Sequence, residues 1–348
     1  MKKSISILLV LMLLMGTVTG CAPKTVNEDA EAFLEDVNEV PVEDVKKEDV
    51  QKPRPVMTVG IPAGVTAMSL VGVMDKTIES KRVEVEYQII PSPDLIAAKL
   101  INKEVDAMIL PTNLAAILYN KGIEYKLAAS TIWGTLYMVT TEDISSWEDL
   151  KGKEIYTIGR GLTPDVALRY LLEANGIDPD TDVTITYLSG ATELAPTFLS
   201  GRSTISVMPE PMLTTILMKN QEAEILFDFQ EEWATATGTG NSYPQASVMI
   251  SDDFINEYPI ATEAFVEMVD KSADWINDNP EEAGTAAEAL DIKLKKKIVE
   301  KAVERSNIRF ESAEDAKPAI ETYFEILMSA SKKLIGGKMP DEDFYYQK

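Results

Sequence analysis

The chain has no histidine, and its 348 residues include one cysteine. Without imidazole, a Ser–His or Cys–His dyad and any His-ligated metal site are excluded. One thiol cannot close an internal disulfide, so the fold is held by its apolar cores alone. Long apolar runs are missing too: residues 5–15 make a stretch of about eleven, where a membrane-spanning helix needs ~20. No EF-hand pattern and no Walker-type glycine loop occurs, which leaves only carboxylate metal sites open. Positive charge is scarce. Against 57 Asp and Glu stand 33 Lys and Arg, a net charge of −24. Such a surface disfavours nucleic acid and anionic lipid headgroups.

What is present begins at the N-terminus. Lys2 and Lys3 precede the apolar stretch, and Gly16, Thr17, Val18, Thr19 and Gly20 lead from it to Cys21. A charged start, a short apolar run and small residues have the layout of a secretory signal. Val18-Thr19-Gly20-Cys21 resembles the bacterial lipobox. That resemblance implies that residues 1–20 are a signal peptide, that Cys21 is acylated, and that the protein is anchored by lipid at the extracytoplasmic face of the cell membrane. Two or three acyl chains suffice for firm anchoring. Removing Lys2 and Lys3 takes the charge from −24 to −26. Residues 22–55 hold ten acidic and five basic residues, with Phe33 as their one aromatic. They read as an acidic tether over 21–55 that forms no core.

From Val56 short apolar runs alternate with amphipathic stretches, the signature of βαβ units and an α/β fold. The pattern predicts strands over 57–61, 83–89, 107–110, 126–131, 137–140, 154–158, 183–187, 205–208, 224–227 and 246–250. Helices are predicted over 66–76, 93–102, 113–121, 164–175, 192–199 and 211–218, and an almost wholly helical region over 252–335. Two stretches share one cadence: LINKEVDAMILPTNLAAIL at 100–118 and LSGRSTISVMPEPMLTTIL at 199–217. Each runs from a helix end through a turn and an apolar strand to a proline and a new helix, as two similar lobes would require.

In open α/β sheets ligands bind beyond the carboxyl ends of strands, against helix N-termini. The corners so identified are 62–69, 91–94, 111–113, 133–134, 159–165 and 209–211. If they converge on one cleft, Thr66, Ser92, Thr112, Asn113 and Trp133 line it from the first lobe. Gly161, Leu162, Thr163 and Glu210 line it from the second, and Tyr243 stands beside the returning strand. In TIGRGLTPDVALRYLL (157–172), glycines permit close backbone approach to a ligand, while Thr163 and Pro164 suit a helix start. Arg160 is either a charge for an acidic ligand or a rim residue. Glu210 is either an acceptor for a ligand N–H or simply a favourable charge at a helix start.

The lipobox, PSPD, VDAMILPTNLA, SSWEDLKGKEIYTIGRGLTPDVALRYLL and MPEPMLTTIL, in that order, resemble the ABC-importer substrate-binding proteins of the sulfonate, nitrate, taurine and thiamine-precursor group. The resemblance runs over about residues 56–290. It implies a type II periplasmic-binding architecture, two α/β lobes joined by two crossover strands. These would be at about 136–139 and 246–248, giving a first lobe of 56–136 plus 247–348 and a second of 137–246. The implied function is capture of a small organic solute for an ABC permease and ATPase, by a monomer with no cofactor, no metal and no catalysis. An exported enzyme on the same fold and a ligand-sensing receptor subunit are the alternatives. The first corner, GIPAGVTAMSLV, departs from the group in lacking a longer glycine-rich loop.

Overall fold

The computed structural model describes residues 53–90 and 94–348. The expected signal peptide, Cys21, the expected tether up to residue 52, and Ser92 lie outside the described residues. Eleven strands are found among those described: β1 Val56–Pro62, β2 Glu84–Ile90, β3 Ala107–Pro111, β4 Tyr125–Trp133, β5 Leu136–Thr140, β6 Glu154–Ile158, β7 Thr184–Leu188, β8 Ile205–Pro209, β9 Glu224–Asp228, β10 Pro244–Ser251 and β11 Ile308–Ser312. They form two sheets, one of six strands in the order β11-β4-β10-β3-β1-β2 and one of five in the order β7-β6-β8-β5-β9. In each, three strands run parallel as βαβ units. Helices cover both faces, so the central strands are apolar without alternation; Ala107 to Leu110 of β3 are all fully buried.

The chain therefore has the two-lobed α/β architecture expected of it. It leaves the six-stranded sheet after Trp133, crosses at Gly134 and Thr135, and enters the other sheet at Leu136. It returns through the helix Phe229–Thr237, which ends on Gly238 in the left-handed region (φ 67°), and rejoins the first sheet at Pro244. The stretches 136–139 and 246–248 are thus the strands beside the crossings, and the crossings themselves are the peptides before them.

The two stretches of shared cadence occupy equivalent places. β3 lies between parallel β1 and antiparallel β10. β8 lies between parallel β6 and antiparallel β5. Each ends in a proline and feeds a helix, Thr112–Asn120 in one lobe and Met212–Lys219 in the other. One apolar core packs beneath β1, β3 and the long helix Pro259–Asp278. A second runs without interruption from Leu110 and Leu127 through Trp133 and Leu136 to Leu168 and Val207, so the lobes share a core on the crossing side.

Three elements differ from expectation. The region 252–335 is interrupted by β11, whose residues pair with β4. The expected helix over 66–76 is two turns, Val65–Met68 and Val71–Met74, separated at Ser69 and Leu70. Phe229–Thr237 is a helix the apolar pattern did not mark.

Candidate functional site

Between the lobes, where the strand-end corners meet, lies a cavity of about 320 Å³. Thr66, Asn113, Leu162 and Thr163 line it together. With them are the corner prolines Pro111, Pro164 and Pro209, and Val65, Ile132, Leu136, Gln245 and Ala246. The helices Thr112–Asn120 and Thr163–Ala174 both begin at this cavity, and neither has a side-chain cap. Their first backbone N–H groups have no intrahelical acceptor. Leu162 is 54% exposed, apolar surface at the mouth that a second body can cover.

Three of the four polar side chains of the described lining, Gln245, Asn113 and Thr163, are oriented by protein partners. Gln245 Oε1 accepts from both the N–H (3.1 Å) and the hydroxyl (3.0 Å) of Thr135 at the first crossing. Asn113 Nδ2 donates to the carbonyl of Leu334 at 3.3 Å. Thr163 Oγ1 lies 2.8 Å from the hydroxyl of Tyr323 on the helix Ala313–Ala330, a hydrogen bond from one lobe to the other. Burial pushes the Tyr323 phenol well above its ordinary value, so it remains a neutral hydroxyl.

The remaining candidates lie elsewhere. Thr112 is fully buried behind the corner, its hydroxyl 2.8 Å from Ser247 Oγ, which in turn is 3.1 Å from Ser130 Oγ. Trp133 is fully buried; its indole N–H donates to the carbonyl of Arg309 at 3.0 Å, and the Arg309 guanidinium sits 4.4 Å from its ring centre. Tyr243 packs 5.0 Å from Trp233 and 5.8 Å from Tyr323. Burial drives its phenol far upward, and its hydroxyl has no partner among the described residues. Gly161 faces a separate groove shared with Arg169 and Tyr170. Its φ of 71° explains the glycine, and its N–H donates to Asp165 at 2.7 Å. Arg160 is exposed, with its guanidinium 5.2 Å from the ring centre of Tyr187.

Glu210 is 1% exposed, and both its carboxylate oxygens are taken. Oε2 accepts from the backbone N–H of Thr214 (3.0 Å), and Oε1 from the Thr214 hydroxyl (2.9 Å) and Arg305 Nε (2.6 Å). Arg305 comes from the other lobe, so Glu210 bridges the lobes rather than the cavity. The same segment pins the first crossing: Trp133 N–H donates to Asn307 O at 3.0 Å, and Asn307 Nδ2 to Gly134 O at 2.8 Å. Gln245 is the polar lining residue that sequence reasoning missed. Its one signal is a lone amide at the start of the apolar run PQASVMI (244–250).

The comparisons accord with this geometry. Against curated proteins no sequence matches. A solved ABC transporter protein of Parabacteroides distasonis is similar at 28% identity, over 84% of this chain and 99% of that one, with a TM-score of 0.72. The periplasmic aliphatic sulphonate-binding protein SsuA of Escherichia coli shares the fold at 12% identity, over 84% and 92%, with a TM-score of 0.66. The periplasmic nitrate-binding protein NrtA of Synechocystis does so at 14% identity, over 81% and 84%, with a TM-score of 0.54. The family model described as NMT1-like matches residues 50–291, most of the chain, which therefore belongs to the NMT1-like family.

Proposed function

We propose that this protein is a solute-binding lipoprotein that captures a small organic molecule between its lobes and presents it to an ABC importer. The observation that carries this reading is the cavity of about 320 Å³ at which corners from both sheets meet. It is within the size range of small-molecule sites, mostly apolar with a few fixed polar groups. Its lining among the described residues has hydroxyls and amides but no carboxylate, thiol or amine to act as base or nucleophile, which favours binding over catalysis. The structural neighbours, an ABC transporter protein and sulphonate- and nitrate-binding proteins, support the same class. Ligand contact with both lobes lowers the free energy of the closed state, and the closed form is what a permease recognises.

Thr66, Asn113, Leu162 and Thr163, with Gln245, form the pocket in this reading, and Ser92 joins them from its corner. Cys21 carries the lipid and holds the protein outside the cytoplasmic membrane. Native mass spectrometry of the purified protein should find one small molecule per chain, and that molecule, added back, should raise Tm as mass action requires. A solute consumed by the pure protein would instead favour an enzyme. Cys21→Ser should release the protein from membranes or leave it unprocessed; a variant that stays membrane-bound at mature size rules out the anchor.

A further inference from the structure

We infer that the inter-lobe cavity selects an uncharged solute with an amide-like edge, a hydrogen-bond donor beside an acceptor, on a flat apolar body. The inference rests on the solute-binding reading and names its ligand class. Three observations carry it. First, the cavity has no charged side chain in its described lining. The nearby charges are engaged with protein groups: Glu210 with Arg305, Asp165 with Arg169 at 2.9 Å, and Arg160 over Tyr187. A permanent ion entering such a site meets no side-chain counter-charge, and an anion has only the backbone N–H groups of the two helix starts to offset its lost hydration.

Second, the two amide side chains of the lining are fixed in opposite senses. A backbone N–H can only donate, so the Gln245 atom that receives the Thr135 N–H is its oxygen. That leaves Gln245 Nε2 without a protein acceptor among the described residues, as a donor for a ligand. A backbone carbonyl can only accept, so the Asn113 atom bonded to Leu334 O is its nitrogen. That leaves Asn113 Oδ1 as an acceptor. The usual ambiguity of amide orientation does not arise at either residue. A ligand that matches both needs one C=O and one N–H, as in a carboxamide, a lactam or a cyclic ureide. A carboxylate or sulfonate has only acceptors, and would face Asn113 Oδ1 with a repelling charge.

Third, Pro111, Pro164, Pro209, Ile132 and Leu162 make most of the remaining wall apolar. They reward a ring or short hydrocarbon body and give a hydrated ion nothing.

The test is calorimetric titration of the purified protein with matched probes. Benzamide and 2-pyridone carry the paired edge; benzoate and benzenesulfonate keep the ring and replace the edge with an anion. The amides should bind at least about tenfold more tightly than the anions. Their Kd should change by less than about twofold between 50 and 500 mM NaCl, since no charge is screened. Gln245→Leu and Asn113→Leu should each weaken benzamide by about tenfold or more, because each leaves one ligand group unpaired. Anions that bind as well as or better than the amides overturn the inference and leave the solute-binding reading intact. Failure of all four probes also overturns it. The co-purifying solute in the native mass spectrum then tells separately whether the solute-binding reading survives.

Discussion

Both oxygens of Glu210 are occupied from within the protein, and one of the partners crosses between lobes. Removing the carboxylate leaves the Arg305 guanidinium, whose side chain is 25% exposed, without its partner. A fully buried pair broken on one side costs about 3–5 kcal/mol; partial exposure of the arginine reduces this to about 2 kcal/mol. Glu210→Ala should therefore lower the unfolding free energy by about 2 kcal/mol in urea titration while changing solute affinity less than about twofold. A tenfold loss of affinity would reinstate Glu210 as a ligand acceptor. The sequence marked this residue through its place at a strand end, and that place is correct. What it could not contain is the approach of Arg305, 95 residues further along the chain. Thr66, Asn113, Leu162 and Thr163 are legible from their corner positions, although the same positions also hold Thr112, Trp133, Gly161 and Glu210, which face elsewhere. Trp133 and Tyr243 stand at a corner and beside the returning strand, but large aromatics beside a crossing have a competing use as core. Gln245 was illegible because its orientation depends on Thr135, a contact across 110 residues.

At the level of elements, ten strands and five of the six expected helices could be read from their apolar period. β11 could not: IRFES is embedded in a long helical pattern, and its partner β4 lies far back in the chain. The first crossing shows a constraint finer than periodicity. A Cβ on Gly134 would lie 2.5 Å from both Gln230 Oε1 and Tyr243 Cζ. The glutamine end can move; the tyrosine ring, fully buried against Trp233, cannot move without disturbing the shared core. Gly134→Ala should thus behave as overpacking, destabilising by about 1–3 kcal/mol. Because the crossing also fixes Gln245 through Thr135, the same variant should weaken solute binding, whereas Gly122→Ala, with nothing within 4 Å of its Cβ, should test only backbone strain and leave affinity unchanged. Equal affinity in Gly134→Ala and the parent would show that the crossing does not position Gln245.

For the whole molecule, the dominant quantity is the charge of −24, with no histidine to buffer it near neutrality. Self-repulsion of the folded state falls as carboxylates take up protons. Individual groups add to this with definite signs. Burial raises the carboxyls of Asp106, Asp228, Asp252 and Asp270 from their ordinary 3.8. A raised carboxyl is protonated in the folded state while still ionised in the unfolded one, so stability increases as pH falls through the raised value. Hydrogen bonds from Lys153 and Thr204 lower Glu142, and those from Ser189 lower Glu193, both from 4.5. Their contribution is present above 4.5 and is lost as pH falls through the lowered value. The raised group titrates first on acidification, and the lowered group last. Tm should therefore climb as pH drops from 7.5, peak at about pH 5–6, and collapse below about pH 4. Added NaCl should raise Tm at pH 7.5 and do so less at pH 5, because screening and protonation relieve the same repulsion. Calorimetric scans across pH at two salt concentrations read both effects. A Tm that declines steadily from pH 7.5 to 5 would mean that carboxylates held by hydrogen bonds, rather than buried or mutually repelling ones, set the acid response.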